Sequence, residues 1–243
     1  MNTMDRGQLS RRGALKFAAG LAAATAAVGQ TTAISSAHDL RPTDSAYAFD
    51  DYERIVSRDV TMRMLYEWPN VTNPIIFNNL SNGLNGFQFS YDLPSNQIQV
   101  VVQAYATANL AMYDDVVWAN YRLGEVFKVL DPTTGEPAIR NIWFASKIRP
   151  ADQPPEDRTN PYYSDLSIEG LQRRGVLFLI CHQTVHAHAG AVAASEQNTD
   201  HLSADQVLAD IQAHLIPGGL LVPAAVGELV RLQDKGYRMV VNA

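Results

Sequence analysis

The single cysteine of the chain, Cys181, stands inside the stretch Arg173 to Gly190, RRGVLFLICHQTVHAHAG, with His182 beside it and His186 and His188 just beyond. A thiolate can attack a sulfane sulfur or another electrophile, and thiolate together with imidazole is also a ligand set that suits zinc or copper. Which chemistry is open depends on the elements that present these groups. Val176 to Ile180 is a continuous apolar run behind a charged pair, the pattern of a strand covered on both faces in a parallel sheet. The residues from His182 to about Ala194 suit a helix, which puts Cys181 at a strand-to-helix turn. Reactive groups in such sheets sit at the carboxyl ends of the strands, and the first turn of a helix favours a thiolate there. The competing role is structural, because free cysteine is among the most buried residue types.

Helical spacing limits what the histidines can do. His182 and His186 share a face, whereas His188 projects about 120° away from His182. One helix therefore supplies two metal ligands, and the rest would have to come from His201, His214, Asp200 or Asp205. Histidines on a polar helix face that tune the neighbouring thiol are the simpler expectation, with no metal and no cofactor. Asn78, Asn79, Asn82 and Asn85 cluster after the apolar run Pro74 to Asn78, a candidate first strand, where they either cap a helix or line a pocket. In the last helical segment Glu228, Arg231 and Asp234 form a solvated face, with Arg231 spaced to pair with either acid. The chain carries no GxGxxG, P-loop, GxSxG or CxxC motif, so nucleotide, serine-hydrolase and thioredoxin chemistry have no local support.

Length and charge bound the class. With 243 residues, 47% of them hydrophobic, the chain can build one sizeable core. Residues 1 to 37 differ in kind: Ser10-Arg11-Arg12-Gly13-Ala14-Leu15-Lys16 precedes an alanine-rich stretch from Phe17 to Val28. A basic segment, a weak apolar segment and small residues make an export signal of the twin-arginine type, too short and too poor in leucine and isoleucine to span a bilayer. Cleavage is expected after Ala37, with Ala33 as the second choice, and the destination is the periplasm or another exported location. The signal carries a net +3 of a chain whose formal charge is −6, which leaves a mature protein at −9. That acidity argues against nucleic acid or an anionic membrane as partner, and no second apolar stretch is long enough to span a membrane. In an oxidising compartment a lone thiol has no internal disulfide partner.

The mature chain reads as an alternation of strands and helices. Residues 38 to 72 make a polar N-terminal extension with one short helix near Asp50 to Met64, and the domain proper begins at 73. A helix over Asn79 to Tyr91 follows the first strand, and Gln97 to Ala104 is the second strand. A helix capped at Asp114-Asp115 runs to about Val129, and a proline-rich insert occupies 131 to 163. After the Cys181 strand and its helix come a helix from Ser203 to Ala213, a strand over Gly218 to Pro223, an amphipathic helix from Val226 to Lys235 closed by Gly236, and a last strand from Tyr237 to Val241. Five strands alternating with helices predict a doubly wound, mainly parallel α/β sheet with helices on both faces.

A cysteine-ended strand followed some forty residues later by GGLLVPAAVGELVRLQDKGYRMV resembles the DsrE/DsrF-like family of sulfur-relay proteins, and PIIFNNLSNGLNGF with QIQVVVQAYATANL resembles that family's opening βαβ unit. The resemblance covers roughly residues 72 to 242. It implies a flavodoxin-like five-stranded sheet, assembly into trimers or hexamers, and a thiol at Cys181 that accepts sulfur as a persulfide and hands it to another carrier protein. The export signal and the insert depart from the pattern of the cytoplasmic relays. A binding or assembly protein of the same fold, and a metal-binding protein built on the histidines, are the alternatives.

Overall fold

A computed structural model of the chain describes residues 47–144 and 166–241. The expected export signal and residues 145–163 of the expected insert lie outside them. Among the described residues the first helix, α1, spans Phe49–Val56, and the first strand, β1, spans Met62–Trp68. The opening strand thus falls inside the stretch expected to be an extension. Pro74 to Asn78, expected as that strand, instead starts helix α2 (Ile75–Asn85), which runs on into a π-helical turn over Gly86–Ser90. Sequence pattern separates the two poorly: MRMLYEW mixes polar residues into its alternation, whereas IIF is a short apolar run that a helix start buries equally well.

The remaining order is β2 (Ile98–Ala104), a 3₁₀ stretch over Ala106–Met112, α3 (Asp115–Asn120), α4 (Leu123–Val126), α5 (Ile168–Arg173), β3 (Val176–Cys181), α6 (His182–Ala193), α7 (Ala204–Ala213), β4 (Leu220–Val222), α8 (Ala225–Asp234) and β5 (Arg238–Val240). The helix expected from Asp114 to Val129 is broken in two at Arg122, which takes φ 47° in the left-handed region. Its start is as expected, with Asp114 Oδ1 accepting from Val116 N at 2.9 Å and Val117 N at 3.2 Å. Ser203 and Gln206 form a full capping box on α7. Gly236, at φ 86°, ends α8 and lets Tyr237 N reach back to Leu232 O at 3.0 Å.

All strands are parallel in the order β4-β3-β2-β1-β5, a flavodoxin-like α/β sheet with helices on both faces. Pleating sends alternate residues to opposite faces. Tyr66, Trp68, Val100, Val102, Phe178 and Ile180 face a large core shared with α2 and α5 through α7. Leu65, Val101, Leu177 and Leu179 face a smaller core closed by Tyr52 and Val56 of α1 and by Leu229 and Leu232 of α8. The first part of the insert is sewn into the large core. Asn141 Nδ2 donates to the carbonyls of Ala111 at 2.7 Å and Tyr113 at 2.8 Å, and the Trp143 ring stacks on Phe77 at 4.6 Å.

Helix α8 differs from its expected solvated face. Glu228 is buried, accepts the Tyr52 hydroxyl, and is held above the ordinary carboxyl range by that burial. Arg231 bonds Glu53 of α1 and lies 3.8 Å from Glu228, while Lys235 Nζ reaches Glu53 at 2.8 Å. The exposed apolar residues of this helix are Val226 and Val230. Among the described residues no helix is long and apolar enough to cross a membrane.

Candidate functional site around Cys181

Cys181 is the last residue of β3 and the N-cap of α6, as the apolar run and the helical stretch after it require. Its backbone is clamped on both sides by one buried side chain from the 3₁₀ stretch after β2. Asn109 Oδ1 accepts from Cys181 N at 3.0 Å, and Asn109 Nδ2 donates to Cys181 O at 3.3 Å. The same Nδ2 donates to the Tyr113 hydroxyl at 3.3 Å, whose own proton is then left for His188 Nδ1 at 2.9 Å. Burial pushes the Tyr113 phenol far up and His188 down to about 3, so both are neutral around pH 7.

The sulfur points the other way, to the α8 face of the sheet. Ala225 N, in the first turn of α8, donates to Cys181 Sγ at 3.4 Å. Ala224, the N-cap of α8, has no side chain that could bond that turn, so the sulfur fills the capping position. Cys181 is 4% exposed. Beyond β2, the Tyr105 hydroxyl donates to Glu67 at the end of β1. Between these groups lies Gln103, opposite Leu179 in register and fully buried, whose Nε2 donates to Ala104 O at 2.9 Å. Its Oε1 has no donor among the described residues. An orphaned buried acceptor costs on the order of 1–3 kcal/mol. Gln103→Met is therefore expected to leave stability within about 1 kcal/mol of the parent or to raise it, as urea denaturation would measure.

The histidines separate as helical spacing predicts. His182 leaves the turn toward α7 and the segment before α1: its Nδ1 bonds the Tyr47 hydroxyl and its Nε2 meets Gln212 Nε2 at 2.9 Å. The His186 ring lies 4.6 Å from that of His182, whereas His188 is buried against Phe127 and Tyr113 on another side of α6. Among the described residues no group of three His, Cys, Asp or Glu is placed to hold a metal ion. Asp200, His201 and Asp205 are exposed.

His214 bonds Asp114 Oδ2 at 2.9 Å, and hydrogen bonding to that carboxylate raises its pKa. A raised histidine pKa adds stability that is fully present below the unfolded-state value near 6.5 and is lost as pH rises through the folded-state value. His214→Ala is accordingly expected to lose stability against the parent at pH 5.5 and to match it more closely at pH 8.5, a comparison for denaturant titrations.

Asn78 and Asn79 sit in helix α2 rather than just after a strand. Asn78 is exposed, and the Asn79 backbone carbonyl accepts from the Tyr66 hydroxyl at 3.3 Å. Because the first strand is Met62–Trp68, the asparagines beyond its end are Asn70 and Asn73, and Asn73 Oδ1 accepts from Ile75 N at 3.1 Å at the start of α2. Asn109, Gln103 and Ala225 were not among the residues the sequence singled out. Two of them had a signal, an amide embedded in an apolar run: ATANLAM for Asn109 and QIQVVVQA for Gln103. A cleft of about 700 Å³ lies at the opposite, amino edge of the sheet, with Arg58, Arg173 and Arg174 in its wall. Against known proteins, the chain matches no family model, and no curated protein resembles it significantly.

Proposed function

We propose that this is an exported sulfur-handling protein of the DsrE/DsrF type, in which Cys181 accepts sulfane sulfur as a persulfide and passes it to a partner protein, the chain acting as a homo-oligomer. The observation that carries this reading is the placement of Sγ: it ends an interior parallel strand at the carboxyl edge and takes the backbone N–H of Ala225 from the first turn of α8 at 3.4 Å. Donors and a helix N-terminus favour negative charge on sulfur, whether it belongs to the thiol or to a persulfide. In the transfer, the Cys181 thiolate attacks the terminal sulfur of a donor R–S–SH; the new S–S bond forms, the donor's S–S bond breaks, and R–S⁻ leaves. Passing the sulfur on repeats the exchange with the carrier's thiolate as nucleophile, and neither step needs an oxidant.

A second reading, a non-catalytic binding or assembly protein, is favoured by the 4% exposure of Cys181. Intact-mass spectrometry of the folded protein before and after polysulfide separates the two. Sulfur-sized additions that reverse with reductant and vanish in Cys181→Ser support transfer. A thiol that gains nothing, and that is labelled only after unfolding, leaves Cys181 as the cap of α8 and the binding reading in place.

A further inference from the structure

Three separate pieces of chain close the cleft of about 700 Å³ at the amino edge of the sheet. Arg58 comes from the turn after α1, residues between Gln88 and Asn96 from the chain leading into β2, and Arg173 to Gly175 from the turn between α5 and β3. Sites for organic ligands run to about 300–1,000 Å³, and this cleft falls inside that range.

Its wall is cationic. Among the described lining residues, the guanidinium groups of Arg58, Arg173 and Arg174 stand against one carboxylate, that of Asp92. The whole chain carries −6, so the sign of the cleft is set by its own wall and not by the protein's overall charge. Neutral oxygens hold two of the three groups in place. Arg58 Nη1 donates to Gln99 Oε1 at 3.3 Å, and Arg58 Nη2 donates to Asn96 O at 3.0 Å. Arg174 Nη2 donates to Asn85 Oδ1 and to Gln88 Oε1, each at 2.8 Å. Bonds of this kind orient a guanidinium without cancelling its charge, and a planar fork so held matches the oxygens of a phosphate or carboxylate. Apolar surface open to solvent lies in the same wall, where Phe89 is 36% exposed and Pro94 is exposed.

We propose that the amino-edge cleft binds a small organic dianion, its charged group on Arg58, Arg173 and Arg174 and its apolar body against Phe89 and Pro94. A dianion matches the surplus of two positive charges in the wall. The same surplus selects against a cation of similar shape. The site is separate from the sulfur chemistry. Gly175, in the cleft, immediately precedes β3, and Cys181 ends that strand, roughly 20 Å further along.

Isothermal titration of the folded full chain at pH 8 tests this with phenyl phosphate, phthalate, inorganic phosphate and benzylamine as probes. At least one of the two aromatic dianions is expected to bind saturably at one site per chain, and the tighter of them names the head group as phosphate or dicarboxylate. Inorganic phosphate, which lacks an apolar body, is expected to bind at least tenfold more weakly, and benzylamine not at all. Arg58→Gln and Arg173→Gln, both at exposed positions, are each expected to weaken the dianion at least tenfold. Cys181→Ser is expected to leave it unchanged, which separates this site from sulfur transfer. Should Arg58→Gln fail to fold, Arg173→Gln carries the test. Absence of saturable binding by both dianions, equal binding of inorganic phosphate or benzylamine, or undiminished binding by a folded arginine variant overturns the proposal.

Discussion

Asn109→Ala is expected to destabilise the protein by about 3 kcal/mol or more, because one truncation strips the bonds from several buried groups at once. Asn109 is fully buried and uses its whole carboxamide, taking Cys181 N at 3.0 Å and giving to Cys181 O and the Tyr113 hydroxyl, each at 3.3 Å. Alanine leaves a buried amide and two buried oxygens short of a partner, and each orphan costs on the order of 1–3 kcal/mol unless water enters. The cavity left by the side chain adds to the loss. The loss is also local in kind. Asn109 is the side chain that fixes the backbone where β3 becomes α6, so the variant should open that turn before the rest of the sheet. Urea denaturation measures the total, and the rate of thiol labelling in the folded state measures the opening. A variant that loses stability yet labels no faster than the parent would show that the clamp does not govern access to Cys181.

Lowering the pH is expected to bring out a second large effect, centred on His188. Burial holds this imidazole neutral, down to about 3, against an ordinary value near 6.5. The unfolded chain takes up the proton first, so the contribution of His188 is fully present above about pH 6.5 and is lost progressively as pH falls toward the folded-state value. Each pH unit inside that window is worth about 1.4 kcal/mol, and the whole span is on the order of 5 kcal/mol. His188→Asn, which can still meet the Tyr113 hydroxyl, should flatten the difference. Denaturant titrations of both proteins at pH 7, 6, 5 and 4 read it directly. Parallel pH profiles would mean that the imidazole is not what makes the fold acid-sensitive. His214 works in the opposite sense, losing its contribution as pH rises, so the two histidines narrow the stable range from both sides.

How far the sequence foretold this arrangement depended on whether a signal was local. VLFLIC is an unbroken apolar run of strand length with a helix behind it, so both the strand and the position of Cys181 at its end were legible. The Ser203 box and the terminal Gly236 were equally local, each a residue type demanded by one backbone position. The opening strand was missed because Arg63 and Glu67 interrupt it, although β1 is paired on both sides. Glu228 was misjudged for a related reason: its helical position suits solvent, and the Tyr52 hydroxyl that bonds it in its buried place comes from a helix far away in sequence. The direction of the thiol needed the register and the α8 N-terminus together, and neither is written in the residues next to Cys181.

The place of β5 also governs how the chain can fold. Strands β1 through β4 follow one another across the sheet and can pair in the order in which they are synthesised, but the free edge of β1 is met by Arg238–Val240. Until that distant segment arrives, Met64 to Tyr66 keep unpaired backbone groups on one side, an invitation to other extended chains. Closing so long a loop is entropically costly and slow. The last strand thus acts as a latch, and a chain cut short before it would keep most of its core while presenting an open edge to its neighbours.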